Sequence, residues 1–268
     1  MSDRDPPNHD LEKFKPGIPG KESLRAPLSK RFYKAAAANP AGNGFTVALD
    51  GRPLKTPGKR DFVVPSKALA EAIAAEWSAQ REVIDPATMP LTRIANSAID
   101  AVALNMGAVA EDVAAFACSD LLCYRAEAPR ELARHQAAAW DPLLRWAMST
   151  FEIHFKIVNG VVPVEQSPFI RQRIVAALEA MDPFALAAIH VMTTLTGSSV
   201  LALAHAKGQI GLEAAWAAAH IDEDWQIEHW GQDFEAEERR QVRAAEFAAA
   251  SRLYSLISIS AGHRLTEL

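Results

Sequence analysis

The sequence predicts an α+β protein in which a small β-rich unit, residues 30–100, precedes a larger and mainly helical domain, residues 101–268. Three observations predict it. Phe45, Val47 and Leu49 alternate with Thr46 and Ala48 just ahead of Asp50-Gly51, a dipeptide that supplies the positive φ angles of a tight hairpin turn. Beyond about residue 100 the apolar residues recur at helical spacing, and Ser167-Pro168 and Asp182-Pro183 carry the cap-plus-proline signature of helix starts. Finally, 268 residues that are 49% hydrophobic and 23% charged suffice to bury a sizeable core and leave no charge surplus that would keep the chain unfolded.

Residues 1–29 hold Pro6, Pro7, Pro16, Pro19 and Pro27 with few apolar anchors and read as a loosely docked arm. From Lys13 to Lys34 there are seven bases and one acid, which suits a solubilising tail or an arm folded against an acidic surface; the tail is the simpler reading. After Asp50-Gly51 the return strand from Arg52 to Thr56 belongs at a sheet edge, because Pro53 has no ladder donor, and a further strand is expected at Asp61 to Val64. Ser66 reads as an N-cap, and Leu69, Ile73 and Trp77 form an i, i+4, i+8 stripe that packs on the sheet and gives Trp77 a structural place at the domain junction.

In the second domain a helix near Ala108 to Leu122 sets Val109, Val113 and Phe116 on one side. The next follows Pro129 and runs through Leu132, Gln136 and Trp140, the last a structural position, to Asp141-Pro142, where the missing N–H predicts a kink or a restart with Asp141 as cap. Alternation of Ile153, Phe155 and Ile157 before Asn159-Gly160 predicts a hairpin insert near 152–164. The apolar window Ala187 to Ala204 is interrupted by His190, Thr193, Thr194, Thr196, Ser198 and Ser199 and reads as a buried helix instead of a membrane span. After Gly208 and Gly211 one long helix is expected to carry Leu212, Trp216, Ala219, Glu223, Ile227 and Trp230 along a single stripe up to Gly231. A last helix from about Glu235 sets Val242, Ala249, Leu253 and Leu256 inward.

A net charge of −5 argues against nucleic acid as the main ligand, since phosphate binding needs clustered Lys and Arg. Cys118 and Cys123 are five apart, face differently on a helix and form no CxxC pair, so they read as two buried small apolar side chains in a reducing compartment. The first residues form neither a secretory signal nor an organellar presequence, and the expectation is a cytoplasmic, non-inserted protein. Gly17 to Glu22 lacks the P-loop spacing and hydroxyl, and neither GxGxxG nor GxSxG occurs. No cofactor and no catalytic site are predicted.

Asp222 to Glu238 is the most informative stretch, with eight acids, no Lys or Arg, and Trp225 and Trp230 set among them. One reading is a metal-dependent enzyme: His220, Asp224 and Glu228 share a helical face, with His229 adjacent. That set lacks matching ligands from a second helix, since no Glu-x-x-His pair occurs anywhere. The other reading is a surface that holds a basic and apolar partner, with Asp222, Glu223, Asp224, Trp225, Glu228 and Trp230 as contacts. Arg239, Arg240 and Arg243 stand at helical spacing from Glu235 and Glu238 and are expected to neutralise them, whereas Asp222, Glu223 and Asp224 have no local Lys or Arg.

Several separated pieces of the chain resemble one family: RFYK at 31–34, DGRPLKTP at 50–57, PSKALAEAIAAEW at 65–77, MPLTRIANSAID at 89–100, SDLLCYRAEAP at 119–129, WDPLLRW at 140–146 and DEDWQIEHWG at 222–231. In order and spacing they resemble the assembly chaperones of F-type ATP synthase that bind the α subunit of its F1 head. The resemblance implies a protein without enzymatic activity that holds free α subunit until a β subunit replaces it; a monomer is expected, since a dimer that buried the binding surface would first have to dissociate. It also implies that Glu223, with Asp222 and Asp224, lies in the family's acidic motif and contacts the client, flanked by Trp225 and Trp230. Trp77 falls in the family's Glu-Trp motif.

Overall fold

In the computed structural model, which describes residues 27–258, the chain opens with an antiparallel sheet of three strands in the order β1 (Ala36–Ala41), β2 (Gly44–Leu49), β3 (Arg52–Pro53). The basic arm up to residue 26 lies outside the described residues. Asp50 (φ 48°) and Gly51 (φ 81°) make the turn between β2 and β3, and β3 lies at the edge, where Pro53 needs no second partner. The Asp50 carboxylate accepts the amides of Lys34 (3.1 Å) and Ala35 (2.9 Å), which holds its pKa below the usual carboxylate value. β1 has no β-branched residue, so propensity does not mark it; it is held by a full ladder to β2, from Ala36 opposite Leu49 to Ala41 opposite Gly44.

The strand expected at Asp61 to Val64 is reduced to isolated bridges. Asp61 pairs with Lys55 and Val64 with Phe45, so the segment changes partner within three residues and no ladder can extend. Ser66 caps α1 (Lys67–Ala79) by accepting the Leu69 amide at 3.0 Å, and the helix lies across β1 and β2 with Leu69 and Ile73 buried. The half-buried Glu76 carboxylate accepts both the Leu91 and Thr92 amides at 2.8 Å, satisfying orphan donors at the start of α2 (Pro90–Asp100) from outside that helix.

The helical part continues with α3 (Met106–Cys118), which buries Val109 and Val113 and leaves Phe116 half-buried, and then a 3-10 turn at Leu121–Cys123. Cys123 is buried and Cys118 half-buried; both are free thiols. α4 (Arg130–Phe151) runs through Pro142 without a restart. Asp141 is therefore no cap; it accepts from Arg125 Nη2 at 2.6 Å, while Trp140, Leu143 and Leu144 are buried on both sides of the proline and keep the helix continuous despite the lost donor.

No hairpin forms near 152–164. The two-residue strand β5 (Val158–Asn159) pairs in parallel with β4 (Tyr124–Arg125), and the Gln166 side chain bonds both the amide (2.9 Å) and the carbonyl (2.8 Å) of Lys156, occupying the groups a hairpin partner would use. α5 (Pro168–Leu178) and α6 (Pro183–Thr196) are capped by Ser167 and Asp182, whose side chains accept from Phe169 and from Phe184 and Ala185 respectively. The window Ala187 to Ala204 is two buried helices, since Gly197 (φ 67°) ends α6 and Ser198 caps α7 (Ser199–Ala206). No single helix among the described residues is long and apolar enough to cross a membrane.

The single long helix expected after Gly211 is broken at His220 into α8 (Leu212–Ala219) and α9 (Ile221–Trp230). α10 (Phe234–Ser258) closes the fold against α6 and α2, burying Ala249 and Leu253 with Leu256 half-buried; Val242 is exposed because the first turns of α10 extend past the core. One continuous hydrophobic cluster reaches from Tyr33 beside the sheet to Ile257 in α10.

Candidate functional site

The break at His220 shapes the site. The His220 ring is buried, lies against Trp216 with centroids 3.9 Å apart, and donates from Nδ1 to the Trp216 carbonyl at 2.7 Å. Burial pushes its pKa down, which leaves a neutral imidazole with its proton on Nδ1 and Nε2 turned 3.9 Å from Glu223 Oε2. His220 thus belongs to the core side of the corner and not to the outer face of α9. Among the described residues no group of three His, Cys, Asp or Glu could hold a metal ion, so the set His220, Asp224, Glu228, with His229 beside it, is not assembled. His220 stands at the N-cap of α9 with a non-helical backbone (φ −121°, ψ 21°), and its buried ring is committed to the Trp216 carbonyl.

α4 holds the corner from the other side. Trp140 Nε1 donates to the Ala218 carbonyl at 2.7 Å, and Gln136, also buried, donates to Asp222 Oδ1 at 2.6 Å while its own oxygen accepts the Ala126 amide at 2.8 Å. Asp222, Glu223 and Asp224 occupy the first turn of α9, where negative charge complements the helix dipole. They are not equally available. Asp222 is tied to Gln136, and Asp224, which has no Lys or Arg nearby in its own helix, accepts from Arg240 Nη1 of α10 at 2.5 Å, a basic partner that only the packing of helices supplies. Arg239 does pair with Glu235, at 3.6 Å, whereas Arg243 turns to the Leu195 carbonyl at 2.7 Å. Glu223 and Glu228 remain exposed.

Trp225 is half-buried, stacked on His229 at 4.2 Å and edge-on to His135 of α4 at 5.6 Å. Trp230 ends α9 and is 79% exposed; Phe234, just beyond Gly231 (φ 90°), is 83% exposed. Phe234 escaped the sequence reading, although its position right after the Gly-Gln-Asp helix break is a signal that an apolar residue stands on a corner instead of a packed stripe. Between α4, α8 and α9 runs a groove of about 440 Å³ whose lining includes Ala139, Ala214, Ala217, Trp225, Asp224 and Glu228. From Asp222 to Arg240 eight acids face two arginines, a surplus larger than the net charge of the whole chain.

The remaining singled-out residues lie apart from this face. Trp77 is half-buried in the core beside Tyr33, with rings 5.6 Å apart and edge-on, and Tyr33 Oη donates to the Trp77 carbonyl at 2.6 Å. Asp50 and Gly51 form the hairpin turn, and Trp140 sits in the core under the Arg125 guanidinium, 4.8 Å above its ring.

A three-stranded sheet leading into a helical body defines the class to which this chain is compared. The Atp12 structure from Paracoccus denitrificans superposes with a TM-score of 0.80 at 44% identity, over 85% of this chain and 98% of that one. The Atu1473 protein of Agrobacterium tumefaciens is 46% identical, with a TM-score of 0.82 over 88% of each chain. Protein atp12, mitochondrial, of Schizosaccharomyces pombe is 25% identical over 220 residues, 78% of this chain and 76% of the relative. Residues 30–148 match the family model described as ATP12 chaperone protein. This chain belongs to the ATP12 chaperone family.

Proposed function

We propose that this chain is an assembly chaperone that binds the free α subunit of the F1 head of F-type ATP synthase and hands it over to the β subunit. The observation that carries the reading is α9 and its corner with α10, where exposed Trp230 and half-buried Trp225 stand among the exposed Glu223 and Glu228 in the most acidic segment of the chain. Asp222 and Asp224 support that face, the first through Gln136 and the second through Arg240. An isolated subunit of an alternating ring exposes large interfaces, and a binder with an aromatic and acidic surface covers apolar area and basic groups together. Release needs no nucleotide hydrolysis: the β subunit competes for the same client surface, and mass action completes the exchange. The protein acts as a monomer, because self-association through this face would hide it from the client. The bacterial cytoplasm is its compartment, consistent with greater identity to the two bacterial proteins than to the mitochondrial one.

The test is co-purification of the wild type and Glu223→Lys with separately expressed α and β subunits. Selective capture of α by the wild type, weakened about tenfold by the charge reversal at an unchanged melting temperature, is the expected result. Capture of neither subunit by the wild type overturns the reading.

A further inference from the structure

Ala214 and Ala217 are exposed on α8, where alanine suits the helix and leaves open the space that a longer side chain would fill. Ala215 and Ala218 are buried, and their small size is explained by packing; Ala218 forms part of the groove floor. The exposed pair meets no such packing limit. What their methyl groups do is keep the groove between α4, α8 and α9 open: with Ala139 they contribute small side chains to its lining, and Trp225, braced by His229 and His135, contributes a large rigid one. At about 440 Å³ the groove lies within the ~300–1,000 Å³ span of pockets that take small ligands, so it accepts side chains from about one turn of a partner and not a folded face.

Its charged lining is acidic only. Asp224 is already paired with Arg240, while Glu228 makes no ion pair with any described residue. An apolar recess beside one uncompensated carboxylate is complementary to a large apolar side chain with a Lys or Arg within about one helical turn of it. We propose that this groove is the specificity socket of the client face, and that its occupant is such an apolar-plus-basic segment of the client. The inference rests on the chaperone reading and adds to it the place and chemistry of recognition. Glu223, Trp230 and Phe234 then serve as the surrounding surface, and Glu228 with Trp225 as the reader.

The experiment compares wild type, Ala217→Phe, Ala214→Leu and Glu228→Lys for binding to purified α subunit and to short overlapping peptides that span its sequence. Both alanine positions are solvent-facing, so the groove-filling variants are expected to unfold at the wild-type temperature; having two guards against one failing to fold. The expected result is at least a tenfold weaker capture of α by the folded groove-filling variants. The peptides held by the wild type are expected to share a large apolar residue near a Lys or Arg, and Glu228→Lys is expected to lose those same peptides. Wild-type affinity in a folded groove-filling variant overturns the socket while leaving the chaperone reading intact. Failure of the wild type to capture α fails the chaperone reading first and the socket with it. Concentration-dependent dimers of the wild type that Ala217→Phe abolishes would assign the groove to a second copy of this chain and overturn the client assignment.

Discussion

Arg240, in the second turn of α10, reaches Asp224 in the first turn of α9, Nη1 to Oδ1 at 2.5 Å, and so ties the acidic helix to the helix that closes the fold. The pair holds Arg240 more firmly protonated, chiefly through its hydrogen bond to Asp224. It also divides the acids of α9 by availability: Asp224 is a strut, while Glu223 and Glu228 are exposed and make no such bond to α10.

Replacing Arg240 with Ala should cost about 0.5–1 kcal/mol, because Asp224 is half exposed and solvent screens the pair. The loss should shrink at high salt. Hydrogen exchange is the sharper check: amides of α9 should exchange faster, while those of the buried α6 stay unchanged. Equal protection of α9 in both proteins would remove the strut.

Trp77→Arg should destabilise by about 2–4 kcal/mol, since it deletes a large core-packed ring and places a guanidinium beside Tyr33 and the apolar face of α1. Urea denaturation gives the value directly. An unchanged midpoint would show that the ring is dispensable to the junction between the sheet and the helices.

Asp120 has no solvent exposure; it accepts the amides of Leu122 and Val200 at 3.1 Å and lies 3.4 Å from the Ser199 hydroxyl, yet burial pushes its pKa up to about 6 from 3.8. A raised carboxyl pKa means that between about pH 4 and 6 the folded state binds more protons than the unfolded one. The contribution of this group is therefore fully present below pH 4 and falls away as pH rises through 6, by an amount on the order of 3 kcal/mol. Asp120→Asn cannot titrate, so the stability of the wild type relative to this variant should decline from pH 4 to pH 6 and level off above. A pH-independent difference in urea stability would contradict the burial of a titrating carboxyl.

What was legible in the sequence was local. The Asp50-Gly51 turn and the caps Ser66, Ser167 and Asp182 act within three residues, so residue type and spacing suffice. The strand β1 was not separately legible, because alanines gain strand structure only from their ladder to β2. Nor was the continuity of α4 through Pro142, where buried neighbours outweigh one missing donor. The acidic-aromatic character of the candidate face was plain from composition, but which acids it offers was not.

The sequence by itself determined the α+β class, the order of sheet and helices, the Asp50-Gly51 turn, the helix starts at Ser66, Ser167 and Asp182, and the concentration of acid around Trp225 and Trp230, all through short-range backbone chemistry and side-chain pattern. Only the tertiary structure decided that His220 turns inward and breaks the helix, that Asp222 and Asp224 are held by Gln136 and Arg240, and that Ala214 and Ala217 line an open groove. The physical reason is range: Gln136 and Asp222 are 86 residues apart, and such a contact exists only after apolar burial has brought α4 and α9 together.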